Sequence, residues 1–427
     1  MAVEHQTDSA AYELGSAQNG VFLREVGDDL LAFGRGFPAS CGGSLWLNSD
    51  GSTDPSHGVE TWITARMAHV YSMASMLGWP GAGGLADAAL KGLVDGPLRD
   101  RVHGGWHPQV FLDGRVVPGK VCYAHAFVML AASSALLAGR PGARALLDDA
   151  VSVFLDRFWD GAEGLAVDSW DTGFSSLDGY RGVNANMHTV EAFLAVADAT
   201  GDGSFRSRAG RIVERVAGWA GANGWRVPEH FSSDWEPLLE YNADNKADQF
   251  KPYGATPGHG IEWSRLIVQY ALSAGLADGE RDRLVSVAER LFDRAVADGW
   301  GTCGGGLPGL AYTTDWNGVP VVTDRMHWTL AEGIDASATL ARVTGRGVYR
   351  DWYARFWGYA DDCVIDHELG SWFHQLDGRN RVVATVWPGK SDVYHAFQAT
   401  LIPRLDPAVS VASGVMAHPG LNGSYAG

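Results

Sequence analysis

The sequence is poor in cysteine and in positive charge. Its cysteines, Cys41, Cys122, Cys303 and Cys363, lie far apart without a CxxC pair, which argues against a zinc ribbon or a disulfide scaffold and fits a reducing cytosol. Lys and Arg number 33 against 50 Asp and Glu, a net charge of −17 at pH 7. This balance argues against nucleic acid or an anionic membrane as a partner.

Long apolar runs are also missing. A membrane-spanning helix needs about eighteen or more consecutive apolar residues, and the chain has no such segment. The first twenty residues do not place a basic stretch before an apolar one, so no signal peptide is predicted. We therefore expect a cytoplasmic protein. Residues 408–427 are mostly small and polar, and we expect a flexible tail there.

Helical segments recur at a regular interval. Apolar helical patterns begin at residues 59, 121, 184, 258, 325 and 392, which are 62 to 74 residues apart. More amphipathic patterns alternate with them, with charges on one side and Leu, Val and Phe on the other. We predict this second set over 18–33, 84–98, 143–159, 203–222, 280–297 and 347–361.

Six pairs of helices at a near-constant period predict an all-α fold, an (α/α)6 barrel in which six buried inner helices are surrounded by six outer ones. One catalytic domain would then span 1–427, with its core over about 18–406. An open helical solenoid is the less favoured alternative, because its repeats are usually shorter and no polar capping repeat is evident.

The connections before several inner helices resemble β-hairpins. "WHPQVFLDGRVVPGK", "GLAYTTDWNGVPVV" and "WFHQLDGRNRVVATVWPGK" each place Asp-Gly or Asn-Gly between short β-prone runs. All of them would lie on the face of the ring where the inner helices begin. Because function concentrates in loops held by a rigid scaffold, we expect a cavity mouth on this face.

Histidines recur at the same helix ends. They are His188, His259, His327 and His395, with Arg66 and His69 nearby on the first inner helix. A single histidine in such a place is usually a structural hydrogen-bonding residue, and we interpret His125 and His327 individually in that way. Four at equivalent positions of a ring would converge on its central cavity.

Two of these histidines have a carboxylate three residues later, His188 with Glu191 and His259 with Glu262, on one helical face. One hypothesis is a metal site, but carboxylate-bridged metal bundles need further inward carboxylates, and few are present. The other is a neutral imidazole oriented by its carboxylate for proton transfer. We favour the second hypothesis and predict no metal and no cofactor.

Neutral bases around an arginine and aromatic residues suit a hydroxyl-rich sugar. Aromatic rings stack on sugar C–H faces, while Arg, Asn and Gln bind hydroxyls. We therefore expect a monosaccharide as the partner. The predicted substrate-binding residues are Arg66, Asn184, Glu191, Gln375 and Trp387. The oligomeric state stays open between a monomer and a small homo-oligomer.

Four segments in order resemble signature segments of the N-acylglucosamine 2-epimerase superfamily. They are "ETWITARMAHVYSMA", "NANMHTVEAFLA", "FKPYGATPGHGIEWSRL" and "DVYHAFQATL". The resemblance covers roughly residues 18 to 406, and the forms "NMHTVEA" and "GHGIEWSRL" are most similar to the aldose–ketose isomerase branch.

This resemblance implies an (α/α)6 barrel and metal-free isomerisation through a cis-enediolate. It also implies that Arg66 binds substrate oxygens, that His188, His259 and His395 surround C1, C2 and the ring oxygen, and that Glu262 orients or assists His259. We expect His395 to move the C2 proton to C1 and His259 to help open the pyranose ring, although the sequence leaves the reverse assignment open.

The substrate also stays open. Mannose–fructose isomerisation is our first choice, with lyxose–xylulose as a second pair. Sulfoquinovose isomerisation would need cationic or amide groups near C6, for which Lys251, Gln249, Gln375 and Lys390 are candidates. A 2-epimerase acting on N-acylglucosamine or cellobiose is a further alternative.

Two hypotheses lie outside this class. An (α/α)6 glycoside hydrolase would need a carboxylate pair, with candidates Asp244, Glu262, Asp324 and Asp392. A non-catalytic sugar-binding toroid would tolerate loss of the histidines.

Overall fold

The computed structural model describes residues 9–301, 306–418 and 421. Cys303 and the last part of the predicted tail lie outside this range. Within it, thirteen α-helices follow one another along the chain: α1 Ala17–Gly34, α2 Thr61–Met76, α3 Ala82–Val94, α4 Cys122–Leu137, α5 Ala143–Arg157, α6 Val183–Thr200, α7 Ser204–Ala222, α8 Pro257–Ser273, α9 Asp278–Gly299, α10 His327–Thr344, α11 Gly347–Tyr359, α12 Tyr394–Leu401 and α13 Val411–Ala417.

The first twelve helices form the predicted double ring. The inner helices are α2, α4, α6, α8, α10 and α12; each packs against the next, and α12 returns to contact α2. Each inner helix also packs against an outer one, α12 against α1 at the seam. The (α/α)6 barrel is therefore confirmed, and the open solenoid is wrong because the first and last inner helices touch.

Burial explains the two helix types. The outer helix α9 buries Leu284, Val287, Ala288, Leu291 and Phe292, which form one apolar stripe, and its other face is charged. The inner helix α8 is buried from Pro257 to Ala271 on every side. Gly258 allows this close packing, since a Cβ there would lie 2.5 Å from Cγ2 of Thr329 on α10.

The strands are short and belong to the connections. They are β1 Leu45–Leu47, β2 Thr53–Glu60, β3 Gln109–Val110, β4 Lys120–Val121, β5 Trp159–Asp160, β6 Leu165–Ala166, β7 Ser169–Trp170, β8 Arg181–Gly182, β9 His230–Phe231, β10 Thr313–Thr314, β11 Pro320–Val322, β12 Arg325–Met326 and β13 Gln375–Leu376. The pairs β2–β3, β4–β7, β8–β9 and β12–β13 are antiparallel, and in each pair the first strand runs directly into an inner helix. Strand pairing thus fixes where these helices begin, on the predicted hairpin-bearing face.

The C-terminal segment differs from the prediction. Residues 411–417 form α13 instead of a flexible tail, and this helix packs against α2, α4 and α6. The physical reason is burial, because Val415 is fully buried and Ala412 almost so. The helix predicted over 392–405 is also shorter, since Pro403 lies in a 3-10 turn over Ile402–Arg404. No helix of the described residues is both long and apolar enough to span a bilayer.

Candidate active site

A cavity opens where the inner helices begin. Its walls combine polar and aromatic side chains from all six inner helices or the segments before them, namely Arg66, Tyr123, Asn184, His188, Gln249, Phe250, His259, Glu262, Tyr312, His327, Trp328, His374, Trp387, Ser391, Asp392 and His395. The predicted convergence of His188, His259 and His395 with Arg66 is therefore observed.

The contacts of His395 define which of its ring nitrogens carries a proton. Its Nδ1 lies 2.9 Å from Oε1 of Glu332, and its Nε2 lies 3.2 Å from Nη2 of Arg66. Because a guanidinium has only donors, Nε2 must be the unprotonated nitrogen and Nδ1–H donates to Glu332. Burial, Arg66 and His327 hold the pKa of His395 well below its usual range. This ring can therefore accept a proton at Nε2.

Arg66 is fixed on several sides. Nη1 lies 3.2 Å from Oδ2 of Asp392, and Nη2 donates to the Tyr123 hydroxyl at 2.8 Å. The Trp62, Phe127 and Tyr394 rings lie 4.7 to 4.9 Å from its central carbon. Burial opposes ionisation of Asp392, but Arg66 and the Tyr394 backbone N–H lower its pKa below the usual range. The cation thus lies beside His395 and lines the cavity.

His259 has a different partner from the one predicted. Its Nδ1 lies 3.0 Å from Oε2 of Glu229, a residue just before β9, and the prediction that Glu262 orients His259 is wrong. Pairing of β9 with β8 brings Glu229 to the His259 ring, and the Glu229 carbonyl accepts from the Val183 N–H. The spacing of three residues places Glu262 on the same helix as His259. The carboxylate that contacts the His259 ring comes instead from Glu229, in the loop before β9.

Glu262 instead faces His188. Its Oε1 lies 3.9 Å from Nδ1 of His188 and has no hydrogen-bond partner within the described part of the chain. Burial and the nearby Glu332 carboxyl raise the pKa of Glu262 well above its usual range. This shift favours the protonated form of Glu262, which can donate a proton from the cavity wall.

The local pair of His188 and Glu191 is confirmed, with 3.2 Å between Nδ1 and Oε2. Glu191, however, lies behind His188 and not at the cavity, so its predicted contact with substrate is wrong. Its other carboxylate oxygen accepts from the Tyr394 hydroxyl at 2.6 Å. Although burial opposes it, the His188 contact lowers the pKa of Glu191. The Glu191 carboxylate therefore holds the His188 ring in position.

Of the other predicted substrate-binding residues, two line the cavity and one does not. Asn184 and Trp387 line the cavity, and Asn184 Oδ1 has no partner among the residues described. Gln375 does not line it: its amide donates to Asp324 and Thr385, and its oxygen accepts from the Val386 and Trp387 N–H groups. The prediction for Gln375 as a direct ligand is therefore wrong; it holds the loop that carries Trp387.

Of the three further residues considered for binding a sulfonated sugar, one lines the cavity and two do not. Lys390 is buried in an ion pair with Asp366 at 2.6 Å, so it is not available to a ligand. Lys251 lies 3.7 Å over the Tyr180 ring and outside the cavity lining. Gln249 alone of this group lines the cavity.

Of the carboxylates considered for a hydrolase, Glu262 and Asp392 line the cavity. Asp324 accepts from Gln375, and Asp244 is exposed. Asp392 is occupied by Arg66, which leaves Glu262 without an obvious carboxylate partner for glycoside hydrolysis.

Sequence reasoning missed several residues of the site. Glu229 and Glu332 come from outside the histidine motifs, and His374 lies in a connection. Tyr123 and Trp328 occupy the first turns of inner helices, so the rule that found the histidines could have found them too. His327 lines the cavity, contrary to a purely structural interpretation. His125 has the structural role expected, since Nδ1 contacts the Val121 carbonyl and Nε2 accepts from the Trp106 N–H.

Comparisons with known proteins agree with this geometry. Residues 42–399 match the N-acylglucosamine 2-epimerase (GlcNAc 2-epimerase) family. The chain is 47% identical over 357 residues to a D-mannose isomerase of Pseudomonas cannabina pv. alisalensis, covering 83% of this chain and 85% of that protein. It is 46% identical to a D-mannose isomerase of Thermobifida fusca, covering 87% and 91%. A crystal structure of a D-mannose isomerase superposes with a TM-score of 0.83 at 25% identity, covering 90% of this chain and 97% of that one.

The partner of His259 can be tested by two matched substitutions. Glu229→Gln removes the charge that would stabilise protonated His259, and we expect kcat to fall about 10- to 100-fold, as for loss of other orienting partners. The ¹⁵N signals of the His259 ring should move in Glu229→Gln and stay in Glu262→Gln. The opposite pattern would contradict the pairing observed here.

The metal hypothesis can be tested by chelation. Among the described residues, one ligand atom each from His188, Glu191 and Glu262 lies within 4.8 Å of the others, close enough for a cation. The contacts of His188 and Tyr394 already satisfy Glu191, so we expect turnover to be unchanged after exhaustive dialysis against a chelator. Loss of turnover that a divalent cation restores would show instead that the trio binds a metal.

Proposed function

The chain belongs to the N-acylglucosamine 2-epimerase family, and we propose that it is an aldose–ketose isomerase that interconverts D-mannose and D-fructose. D-Lyxose and D-xylulose would be a second substrate pair. The similarity to D-mannose isomerases over most of the chain supports this choice. The proposal also takes the whole chain as one catalytic domain. A cytoplasmic location and the oligomeric state stay predictions.

The observation that carries the proposal is the contact between Arg66 and the unprotonated Nε2 of His395. Isomerisation removes a proton from C2 and forms an enediolate whose oxygens carry negative charge. A neutral base beside a fixed guanidinium suits both needs, because the base takes the proton and the cation stabilises the oxygens formed next to it. Substrate hydroxyls would replace the Arg66–His395 contact on binding.

In the proposed isomerisation, each proton that leaves the sugar has an acceptor and each proton that it gains has a donor. His259 passes the proton of the O1 hydroxyl to O5 as the C1–O5 bond of the pyranose breaks, which gives the open-chain aldehyde. His395 takes the proton from C2 and returns it to C1, while the neutral acid Glu262 gives a proton to O1 and receives the proton that leaves O2. The aldehyde carbon becomes a hydroxymethyl carbon and C2 becomes the ketone. No external oxidant or reductant is needed.

A 2-epimerase is the second candidate. His259 and His395 are both at the cavity, and proton delivery to the two faces of C2 would give an epimer instead of a ketose. The contacts of the two rings differ, however, since His395 Nε2 contacts Arg66 and His259 is paired with Glu229. This asymmetry favours one base acting on adjacent carbons.

Product analysis tests the proposal. The purified protein, incubated with D-mannose in D₂O, should give D-fructose with a fraction of deuterium at C1, because His395 can exchange its proton before returning it. A panel of D-lyxose, N-acetylglucosamine and cellobiose, analysed by chromatography and NMR, serves as the comparison. Formation of 2-epimers without any ketose would overturn the isomerase assignment.

The pH dependence tests the role of Arg66. His395 must be neutral to act as a base, and Arg66 lowers its pKa. In Arg66→Gln this effect is lost, the pKa of His395 rises, and we expect activity to disappear at a higher pH than in the wild type as the solution is acidified. Arg66→Lys keeps the charge but loses the planar fork, so it should chiefly raise KM.

The measurement is the acidic limb of the kcat/KM profile for both variants. An unchanged limb in Arg66→Gln, with the variant folded, would mean that His395 is not the group that must be deprotonated.

A further inference from the structure

Two stacked imidazoles form part of the cavity wall beside His395. The rings of His327 and His374 lie 3.8 Å apart with an angle of 7° between their planes. Their positions are fixed by the main chain, because β12 pairs with β13 and the His327 N–H donates to the His374 carbonyl at 3.1 Å. The pair is therefore a built feature of the wall.

The pair has unused hydrogen-bonding capacity. Within the described ranges, Nε2 of His327 and one ring nitrogen of His374 lack a partner, while the other His374 nitrogen faces the Asp392 main chain. Nδ1 of His327 lies 3.4 Å from the His374 carbonyl oxygen. The rings are 6% and 2% exposed. A buried polar group left unpaired is destabilising, so two phenylalanines would stack here at lower cost. The unpaired atoms indicate a ligand.

The surroundings keep both rings uncharged. Burial and His374 lower the pKa of His327 well below its usual range, and burial lowers that of His374 to about 3, although the Asp392 main chain opposes this fall. The charged groups that act on the pair, Arg66, Lys390 and Asp392, are of both signs. Each neutral imidazole offers one donor and one acceptor, which matches a hydroxyl better than a phosphate or a carboxylate.

Their place relative to His395 indicates which hydroxyls. The His327 ring centre lies 6.4 Å from that of His395, with an angle of 82° between the ring planes. If His395 acts at C1 and C2, the next hydroxyls along the sugar chain are those on C3 and C4.

We propose that His327 and His374 recognise the C3 and C4 hydroxyls of the substrate and so determine its specificity. This inference rests on the proposed isomerisation. D-Mannose and D-lyxose have the same configuration at C2, C3 and C4 and differ at C5, where lyxose lacks the hydroxymethyl group. A pair that reads C3 and C4 would therefore accept both sugars.

Deoxy sugars test this recognition directly. For the wild type we expect kcat/KM to fall about 10- to 100-fold for 3-deoxy- and 4-deoxy-mannose, because each lost hydroxyl leaves a buried imidazole unpaired. For the 6-deoxy sugar, any fall in kcat/KM relative to mannose should be the same in the wild type and in the two Phe variants. In His327→Phe and His374→Phe, which keep a stacked ring, kcat/KM for mannose should fall and the discrimination at C3 or C4 should shrink towards one.

His125→Asn is the matched control, since His125 lies outside the cavity and should affect thermal stability while leaving the deoxy-sugar ratios unchanged. Wild-type enzyme that turns over all three deoxy sugars as well as mannose would overturn the proposal without any variant. So would folded Phe variants that keep the full discrimination.

The two proposals fail in different ways. Absence of ketose from mannose would refute the isomerase function. The specificity role would then be measured by binding of the same sugars, with quenching of tryptophan fluorescence as the signal, because Trp328 and Trp387 line the cavity. Equal affinities for mannose and its 3- and 4-deoxy forms would refute the role of the histidine pair.

Discussion

The contact that the site depends on most is the buried ion pair between Arg66 and Asp392. It joins the first inner helix to Asp392, which lies 326 positions along the chain and two residues before the last inner helix, and so it spans the seam where the ring closes. Removing one partner of a buried pair typically costs about 3–5 kcal/mol, because the remaining charge is left without compensation. Asp392 also accepts from the Tyr394 N–H at the start of α12, which fixes the helix that carries His395. The same ion pair therefore contributes both to closure of the ring and to the position of His395.

A second constraint is the cluster of buried carboxyl groups next to the cavity. Glu191, Glu262, Glu332 and Asp335 are buried around Arg265, which contacts Glu332 at 3.1 Å. One guanidinium cannot compensate four carboxylates in a medium of low dielectric. Burial and Glu332 raise the pKa of both Asp335 and Glu262, which favours the protonated form of each carboxyl. The network therefore favours protonated carboxyl groups close to His188, whose Nδ1 lies 3.9 Å from Glu262.

The division of roles between the histidines follows from their neighbours. His395 has a cation on one side and a carboxylate shared with Arg265 on the other, whereas His259 is paired with Glu229, whose second oxygen has no partner among the described residues. Two groups of the same chemical type thus meet different electrostatic environments. Enzymes commonly separate a base from an acid in this way. The family resemblance names the histidines, but this asymmetry gives a physical reason for assigning C2 deprotonation to His395.

The regular spacing and apolar pattern of the helical segments were sufficient to predict the barrel. Each segment shows its own helical periodicity, and six pairs of helices have few ways to bury their apolar faces. The pair of His188 and Glu191 was predictable for the same reason, since a spacing of three residues within one helix is a local property. The tail prediction was wrong at 411–417, where short apolar residues gain burial only against the assembled ring. The partners of His259 and His395, the stacking of His327 on His374 and the use of Gln375 as a loop support were decided by tertiary structure alone. Those contacts join residues that lie 11 to 63 positions apart, and which atom lies within hydrogen-bond reach depends on how the loops and helices pack, which no local pattern encodes.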